Sequence, residues 1–364
     1  MFSPRPYQTA SVQAVYSYWS KGLDNGNPVV VAPTGSGKSM MIAMLMHDAV
    51  TQWPGTRVLC MADVKELIEQ DASAYAVVAE SSGKRVPFGI FSASVGRRES
   101  DFDITFAQIQ SAYRTPERFG RVDFVCIDEA HMVNPKRVGM YRDFLAVLHA
   151  VNPSLKVVGY TATPYRMGAG YIWTRGKDAI FGGIACEVKI DDLIAQGYLV
   201  PPVGFAGKVE ADCARIEHSS TGEFKEESAT VEFSRITADA VSDAASRLRD
   251  RTSVMVFACS VAHAVQIAET LRSSGEHSVA VVTGETHKAE REAVVARVKS
   301  GECRWIVNCG VFTKGFDAKN IDAVVLLRAT ESAALYVQMV GRGLRPCDGK
   351  QDCIVLDYGQ NIVR

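Results

Sequence analysis

The run Ala32-Pro33-Thr34-Gly35-Ser36-Gly37-Lys38-Ser39 carries the residue types that hold a phosphate chain. It follows the apolar Val29-Val30-Val31 and precedes a stretch with helical spacing from Met40. Strand, glycine-rich turn and helix in that order aim successive backbone N–H groups at phosphate oxygens, and the helix N-terminus adds its dipole. On this reading Pro33, Thr34, Gly35, Ser36 and Gly37 form the cradle. Lys38 then reaches the β- and γ-phosphates, and Ser39 ligates Mg²⁺. The strict pattern has Gly where Ala32 stands. A Gly-Ser surface turn with a solvated lysine is the plain alternative; the flanking strand and helix favour phosphate.

Asp128-Glu129-Ala130-His131 closes the apolar run Val122–Ile127. Carboxylates at the carboxyl end of a buried strand lie where open α/β sheets bind ligands. Mg²⁺ prefers hard oxygens, often one carboxylate plus phosphates, which suits Asp128. Glu129 is placed to orient and deprotonate an attacking water. An ordinary solvated acidic turn is the alternative, and the phosphate loop upstream weighs against it. His131 reads either as a polar loop residue or as a relay of nucleotide state.

Both runs need a sheet to hold them. Short apolar strands alternate with helical patterns through most of the 364 residues. Strands are expected at Val29–Ala32, Val58–Met61, Ile104–Phe106, Val122–Ile127, Lys156–Tyr160, Val254–Ala258, Val279–Thr283, Trp305–Asn308, Ala323–Leu327 and Ile354–Leu356. Helices are expected at Met40–Val50, Val64–Val78, Ala262–Arg272, Lys288–Lys299 and Ala333–Val340. This alternation means mainly parallel sheets flanked by helices, an α/β class. Length favours two domains, 1–200 and 201–364. The junction is placed at Gly197–Gly204, read as breaking any regular element, and Ala211–Ser228 is read as an exposed polar loop.

Hydrophobic residues make up 47% and charged residues 22% of the chain, ordinary globular values. No apolar run is long enough for a transmembrane helix, and the start lacks a signal-peptide layout. A cytoplasmic protein without membrane contact is therefore expected. Nine cysteines with no CxxC pair argue against a disulfide framework or zinc site. Cys60, Cys126, Cys259, Cys309 and Cys353 read as small core residues. The net charge of −1 excludes a wholly basic surface, so any nucleic-acid contact must use a local track.

With these motifs in order, the chain resembles the superfamily 2 helicases, specifically the DEAH-type branch, over nearly its whole length. Arg5-Pro6-Tyr7-Gln8 resembles the adenine-reading Q element, which implies nucleotide contacts from Arg5 and Gln8. Tyr160-Thr161-Ala162-Thr163-Pro164 resembles motif III, which couples hydrolysis to nucleic-acid contact and implies roles for Thr161 and Thr163. Thr313-Lys314-Gly315-Phe316-Asp317 resembles motif V, implying Gly315 and Asp317 at the nucleotide and Thr313 at nucleic acid. Gln338 to Pro346 resembles motif VI, so Gln338, Arg342 and Arg345 are expected at the γ-phosphoryl group. A planar guanidinium there would stabilise charge spread over the transferring oxygens, with Arg345 favoured as the main finger. The resemblance implies tandem RecA-like domains that use ATP and Mg²⁺.

Other segments resemble the strand-gripping motifs. They imply backbone contacts from Lys65 (motif Ia), Gln108 (motif Ib), Ser260 (motif IV), and Thr283 and Gly284 in the next turn. Such contacts use hydroxyls, amides and helix N-termini. Within the superfamily, RPYQ, VKEL, TATP, GYLVPP, LLRATES and QMVGRGLRP resemble the RadD-like DNA-repair helicases. Those proteins carry a Cys-rich extension after the core. This chain stops at Arg364, as a core shorn of that extension or a compact, phage-type relative would. The expected function is an ATP-dependent DNA helicase or translocase on single-stranded or forked DNA, with DNA-repair proteins as partners. An RNA-directed ATPase, a restriction-type motor and a non-catalytic nucleotide switch remain as alternatives. The segment Tyr165–Phe181, with Arg166, Tyr171, Trp173, Arg175 and Lys177, reads equally as a base-stacking surface or a self-packed loop.

Overall fold

The structure is a computed structural model that describes residues 2–22, 26–133, 139–166, 170–173, 179–220, 222–311 and 318–361. The side chains of Arg166 and Lys288 are outside the description. So are Thr313, Gly315 and Asp317 of the motif V match, and Arg175 and Lys177. The chain divides into two compact units, Met1–Lys189 and Ile190–Arg364.

In the first unit, helix α1 (Pro6–Trp19) precedes strand β1 (Asn27–Val31) and helix α2 (Lys38–Gln52). There follow β2 (Val58–Ala62), α3 (Lys65–Ser82), β3 (Phe88–Ser92), β4 (Arg97–Arg98), β5 (Ile104–Gln108) and the short α4 (Ile109–Ala112). The unit continues through β6 (Phe124–Asp128), α5 (Met140–Val151), β7 (Lys156–Thr161), β8 (Tyr165–Arg166), β9 (Gly170–Tyr171) and β10 (Phe181–Glu187). Its main sheet has the order β10-β1-β7-β6-β2-β5-β3-β4. Only the β3–β4 pair in it is antiparallel. The central strands are buried along their length: β2 and β6 have no exposed position. This is why they read as continuous apolar runs rather than alternating ones.

The second unit runs α6 (Ile190–Ala195), β11 (Pro202–Ala206), α7 (Glu226–Arg247), β12 (Val254–Ala258), α8 (Val261–Ser273) and β13 (Val279–Val282). It ends with α9 (Lys288–Lys299), β14 (Trp305–Asn308), β15 (Ala323–Leu327), α10 (Ala333–Gly341) and β16 (Cys353–Asp357). Its sheet, β11-β16-β15-β12-β14-β13, is parallel throughout.

Two expectations need correction. Pro202 does not break structure but opens β11, an edge strand paired with β16. Proline is tolerated at the first residue of an edge strand, where no ladder N–H is required. Nor is Ala211–Ser228 simply exposed loop: Ala211, Cys213 and Ile216 lie in the second unit's core, and α7 already starts at Glu226. Helix α7 buries Ala229, Phe233, Thr237, Ala240, Val241 and Ala244. Their spacing is helical, but mostly small residues make the stripe pale. The cysteines are all free thiols; Cys60, Cys126, Cys259 and Cys353 are buried, while Cys309 is only half-buried. No helix among the described residues is long and apolar enough to cross a membrane.

Candidate nucleotide site

Three neighbouring parallel strands bring the first unit's motifs together. Val31 of β1 lies beside Thr161 of β7, and Tyr160 of β7 lies beside Asp128 of β6. The phosphate loop, the acidic strand end and the Thr161–Thr163 turn therefore leave the sheet at the same edge. Gly37 takes a left-handed φ of 83° as the residue before α2, a conformation that strains any residue bearing a Cβ. Lys38 lies 3.9 Å from Glu129 Oε1 and 3.5 Å from the Ala32 carbonyl. Ser39, buried in the first turn of α2, accepts a hydrogen bond from Gln70 Nε2 at 2.7 Å.

The Q-like element packs onto the loop itself. Tyr7 Oη donates to the Ser36 carbonyl at 2.7 Å, and Gln8 Nε2 reaches the same oxygen at 3.3 Å. Gln8 Oε1 accepts the Arg5 backbone N–H at 3.0 Å, closing a capping box on α1. Arg5 Nη1 in turn donates to Tyr7 Oη.

Asp128 and Glu129 are both buried. Glu129 stands in the left-handed region, φ 48° and ψ 51°. Its backbone N–H donates to Asp128 Oδ1 at 2.9 Å. His131 Nδ1 lies 3.3 Å from Glu129 Oε2 and 2.9 Å from Thr161 Oγ1. Thr161 already donates its proton to the Thr163 carbonyl, so it accepts from His131, and Nδ1 carries the hydrogen. The Thr163 hydroxyl is buried with no hydrogen-bond partner among the described residues.

The electrostatics are lopsided. Asp71, Asp128 and Glu129 act on one another in a buried region with the Lys38 ammonium. Burial, then the Asp71 and Glu129 carboxyls, push Asp128 well above the ordinary range. Burial also raises Asp71, against the pull of the Ser39 hydroxyl and Cys60 thiol. A divalent cation would offset this excess of negative charge. A serine hydroxyl and a carboxylate are the hard oxygens that Mg²⁺ accepts beside phosphates, so Ser39 and Asp128 fit the ion.

The remaining sequence candidates fall elsewhere. Gln108 ends β5 and uses its amide internally, accepting from Ser92 Oγ at 2.7 Å and donating to the Asp63 carbonyl at 3.3 Å. Lys65 opens α3. In the second unit Ser260 caps α8 by accepting the His263 N–H. Thr283 holds a tight turn through the Glu285 N–H, and nothing crowds Gly284. Gln338 and Arg342 are buried on and just after α10. The Arg345 carbonyl accepts from Lys350 Nζ at 2.8 Å. Lys350 also binds the carbonyls of Lys319 and Ile321. Sequence patterning passed over Lys350, Gln70 and Asp71, because a lone polar residue in a loop or helix carries no periodic signal. Tyr171 and Trp173 stack 4.9 Å apart at 18°, with Tyr165 edge-on to Tyr171 at 6.0 Å. Trp173 packs on the core.

Residues 1–166 match the family described as type III restriction enzyme, res subunit, and residues 237–347 match the helicase conserved C-terminal domain. The Saccharomyces cerevisiae protein assigned as ATP-dependent helicase IRC3 is 25% identical over 97% of this chain and 51% of its own length. The Schizosaccharomyces pombe protein assigned as mitochondrial ATP-dependent helicase irc3 is 26% identical over 99% of this chain and 58% of its own. The chain thus spans about half the length of the curated relatives it matches. A fragment assigned as the HsdR subunit of a type I restriction enzyme from Vibrio vulnificus shares the fold with a TM-score of 0.70 at 20% identity, covering 98% of this chain and 64% of that one. DEAD-box helicase Mss116 gives 0.67 at 17% identity, covering 96% and 69%. The likeness is to tandem RecA-like helicase cores. The res-subunit family over residues 1–166 and the helicase C-terminal family over residues 237–347 together indicate a superfamily 2 helicase core.

Proposed function

We propose that this chain is a nucleic-acid-stimulated ATPase that moves along single-stranded DNA, the DEAH-type motor of a RadD-like DNA-repair helicase. The observation that carries this reading is the place of His131, which donates from Nδ1 to Thr161 Oγ1 at 2.9 Å and lies 3.3 Å from Glu129 Oε2. It couples the acid that works on the γ-phosphate to the segment expected to sense the strand.

In this mechanism the backbone of Pro33–Gly37 cradles the phosphates and Lys38 pairs with the β- and γ-oxygens. Arg5 and Gln8 hold the adenine side. Ser39 and Asp128 would hold Mg²⁺, which would neutralise phosphate charge. Glu129 orients the attacking water and takes its proton. Its Oε2 lies beside His131, whose Nδ1–H donates to Thr161, so a movement of Glu129 would be felt through His131 at Thr161 and Thr163. The motif VI resemblance assigns Gln338, Arg342 and Arg345 to the γ-phosphoryl oxygens, and the motif V resemblance assigns Gly315 and Asp317, which lie outside the described residues, to the nucleotide. Lys65, Gln108, Ser260, Thr283, Gly284 and Thr313 grip the sugar-phosphate backbone. Domains bounded at 1–200 and 201–364 alternate between ATP-bound and released states. Single-stranded or forked DNA is the track, DNA-repair proteins are the partners, and the cytoplasm is the compartment.

ATPase rate is measured with no nucleic acid, single-stranded DNA, duplex DNA, forked DNA and RNA, beside Lys38→Ala and Glu129→Gln. Stimulation by single-stranded DNA and loss of turnover in both variants are expected. Absence of stimulation, or full activity in both variants, overturns the proposal. An RNA-directed ATPase is the second reading, because relatives include one named ATP-dependent RNA helicase ROK1, 23% identical over 88% of this chain. Stronger stimulation by RNA than DNA would select it, since only RNA offers the 2′-hydroxyl. A restriction-type motor, suggested by the res-subunit match, predicts co-purification with a nuclease.

A further inference from the structure

Asp71, on α3, is fully buried, and none of the motifs accounts for it. One oxygen, Oδ2, accepts from the Cys60 thiol at 3.6 Å. The other, Oδ1, has no hydrogen-bond partner among the described residues. A buried carboxylate left half-satisfied is costly, and such a group calls for an explanation. Among the influences that favour its charged form, the Ser39 hydroxyl ranks first, ahead of the thiol and Lys38.

Ser39 has one proton and two lone pairs. Gln70 Nε2, 2.7 Å away, occupies one lone pair. That proton has no hydrogen-bond acceptor among the described residues, and Asp71, the residue after Gln70 on α3, carries the equally unpartnered buried oxygen Oδ1. We propose that Asp71 is a positioning residue for the divalent-cation site: it draws the Ser39 proton while Gln70 holds one lone pair, leaving the second lone pair of Ser39 to ligate the cation. The proposal rests on the reading of Ser39 as a Mg²⁺ ligand. It adds a carboxylate whose place is behind the ligand rather than on the metal. Partners of this kind change metal affinity by about 10- to 100-fold when removed.

The test is binding of a fluorescent, non-hydrolysable ATP analogue to the full chain, with excess Mg²⁺ and with EDTA. Wild-type protein should bind and tighten with Mg²⁺; failure to bind at all overturns the nucleotide-site reading and this proposal with it. Asp71→Asn should bind in EDTA within about twofold of wild type and lose about tenfold or more of the Mg²⁺-dependent tightening. Mn²⁺ binding, read by electron paramagnetic resonance in the presence of the analogue, should weaken in parallel. Full Mg²⁺ dependence in a cooperatively melting Asp71→Asn protein overturns the proposal while leaving the nucleotide site standing. So does an affinity loss that is equal in EDTA and Mg²⁺. If Asp71→Asn does not fold, Gln70→Leu at an exposed position decides: reduced Mg²⁺ dependence supports the proposal, unchanged dependence overturns it.

Discussion

His263 offers a quantitative test of how the turn into α8 is built. The ring is completely buried, and burial pushes its pKa down to about 4. Thr237 donates to the Phe233 carbonyl at 2.8 Å, so at 3.0 Å from His263 Nε2 it accepts. Nε2 therefore carries the hydrogen, and Nδ1 accepts from the Cys259 thiol at 2.9 Å. Acid would place a second N–H against that thiol in a dry site. The folded pKa lies below the ordinary imidazole value of about 6.5, so the contribution to stability is present above that value and is lost as pH falls towards 4. A shift of this size corresponds to about 3 kcal/mol when complete, and to about 2 kcal/mol by pH 5. For a unit of this length that is a loss of roughly 4–8 °C in Tm. Thermal unfolding of wild type and His263→Gln, at about pH 7.5 and pH 5, measures it. Glutamine can keep a donor and an acceptor but does not titrate. Asp71 and Asp128, raised by burial, gain relative stability in acid, but they are present in both proteins and cancel in the difference. Wild type should lose stability relative to the variant on acidification. If the two proteins lose Tm in parallel, a neutral His263 is not what holds Cys259 and Ser260.

Gly37→Ala should cost about 1–2 kcal/mol from the left-handed backbone alone. Its Cβ would also stand 2.7 Å from Gln8 Nε2, so nucleotide affinity should fall with Tm; an unchanged analogue titration would contradict this. Ser260→Ala removes the α8 cap and should lower stability by about 1 kcal/mol, while weakening single-strand binding in a salt-dependent anisotropy assay. Lys350→Met leaves three carbonyls without their ammonium and should destabilise by about 1–3 kcal/mol, read by urea unfolding. A neutral result would mean that water replaces the amine.

Much of the fold was legible because parallel strands buried on both faces leave unbroken apolar runs. Val254–Ala258, Trp305–Asn308 and Ala323–Leu327 lie where those runs stand. Strand ends were less legible: β6 begins at Phe124 rather than Val122 and includes Asp128. The side chain of Asp123 instead accepts the Arg57 N–H. Helix α7 is hard to read because its buried stripe mixes small alanines with the charged Glu232 and Asp243, and β11 because proline marks a stop as readily as an edge-strand start. The phosphate loop and acidic strand end were visible as local patterns, and the sheet does set them side by side. The supporting polar groups were not visible. Asp71 and Gln70 gain meaning only when the turn of α3 meets the turn of α2. Lys350 gains meaning only when a loop folds back under Arg345.

Glu129 is one of two non-glycine residues with positive φ among the described residues. A side chain in that region costs about 1–2 kcal/mol. Glycine would relieve that strain, so on the proposed role of Glu129 a Glu129→Gly chain keeps the turn at lower backbone cost and loses the base. On the proposed role of Glu129, the curl at the end of β6 gives up backbone ease to set a carboxylate over the phosphate loop.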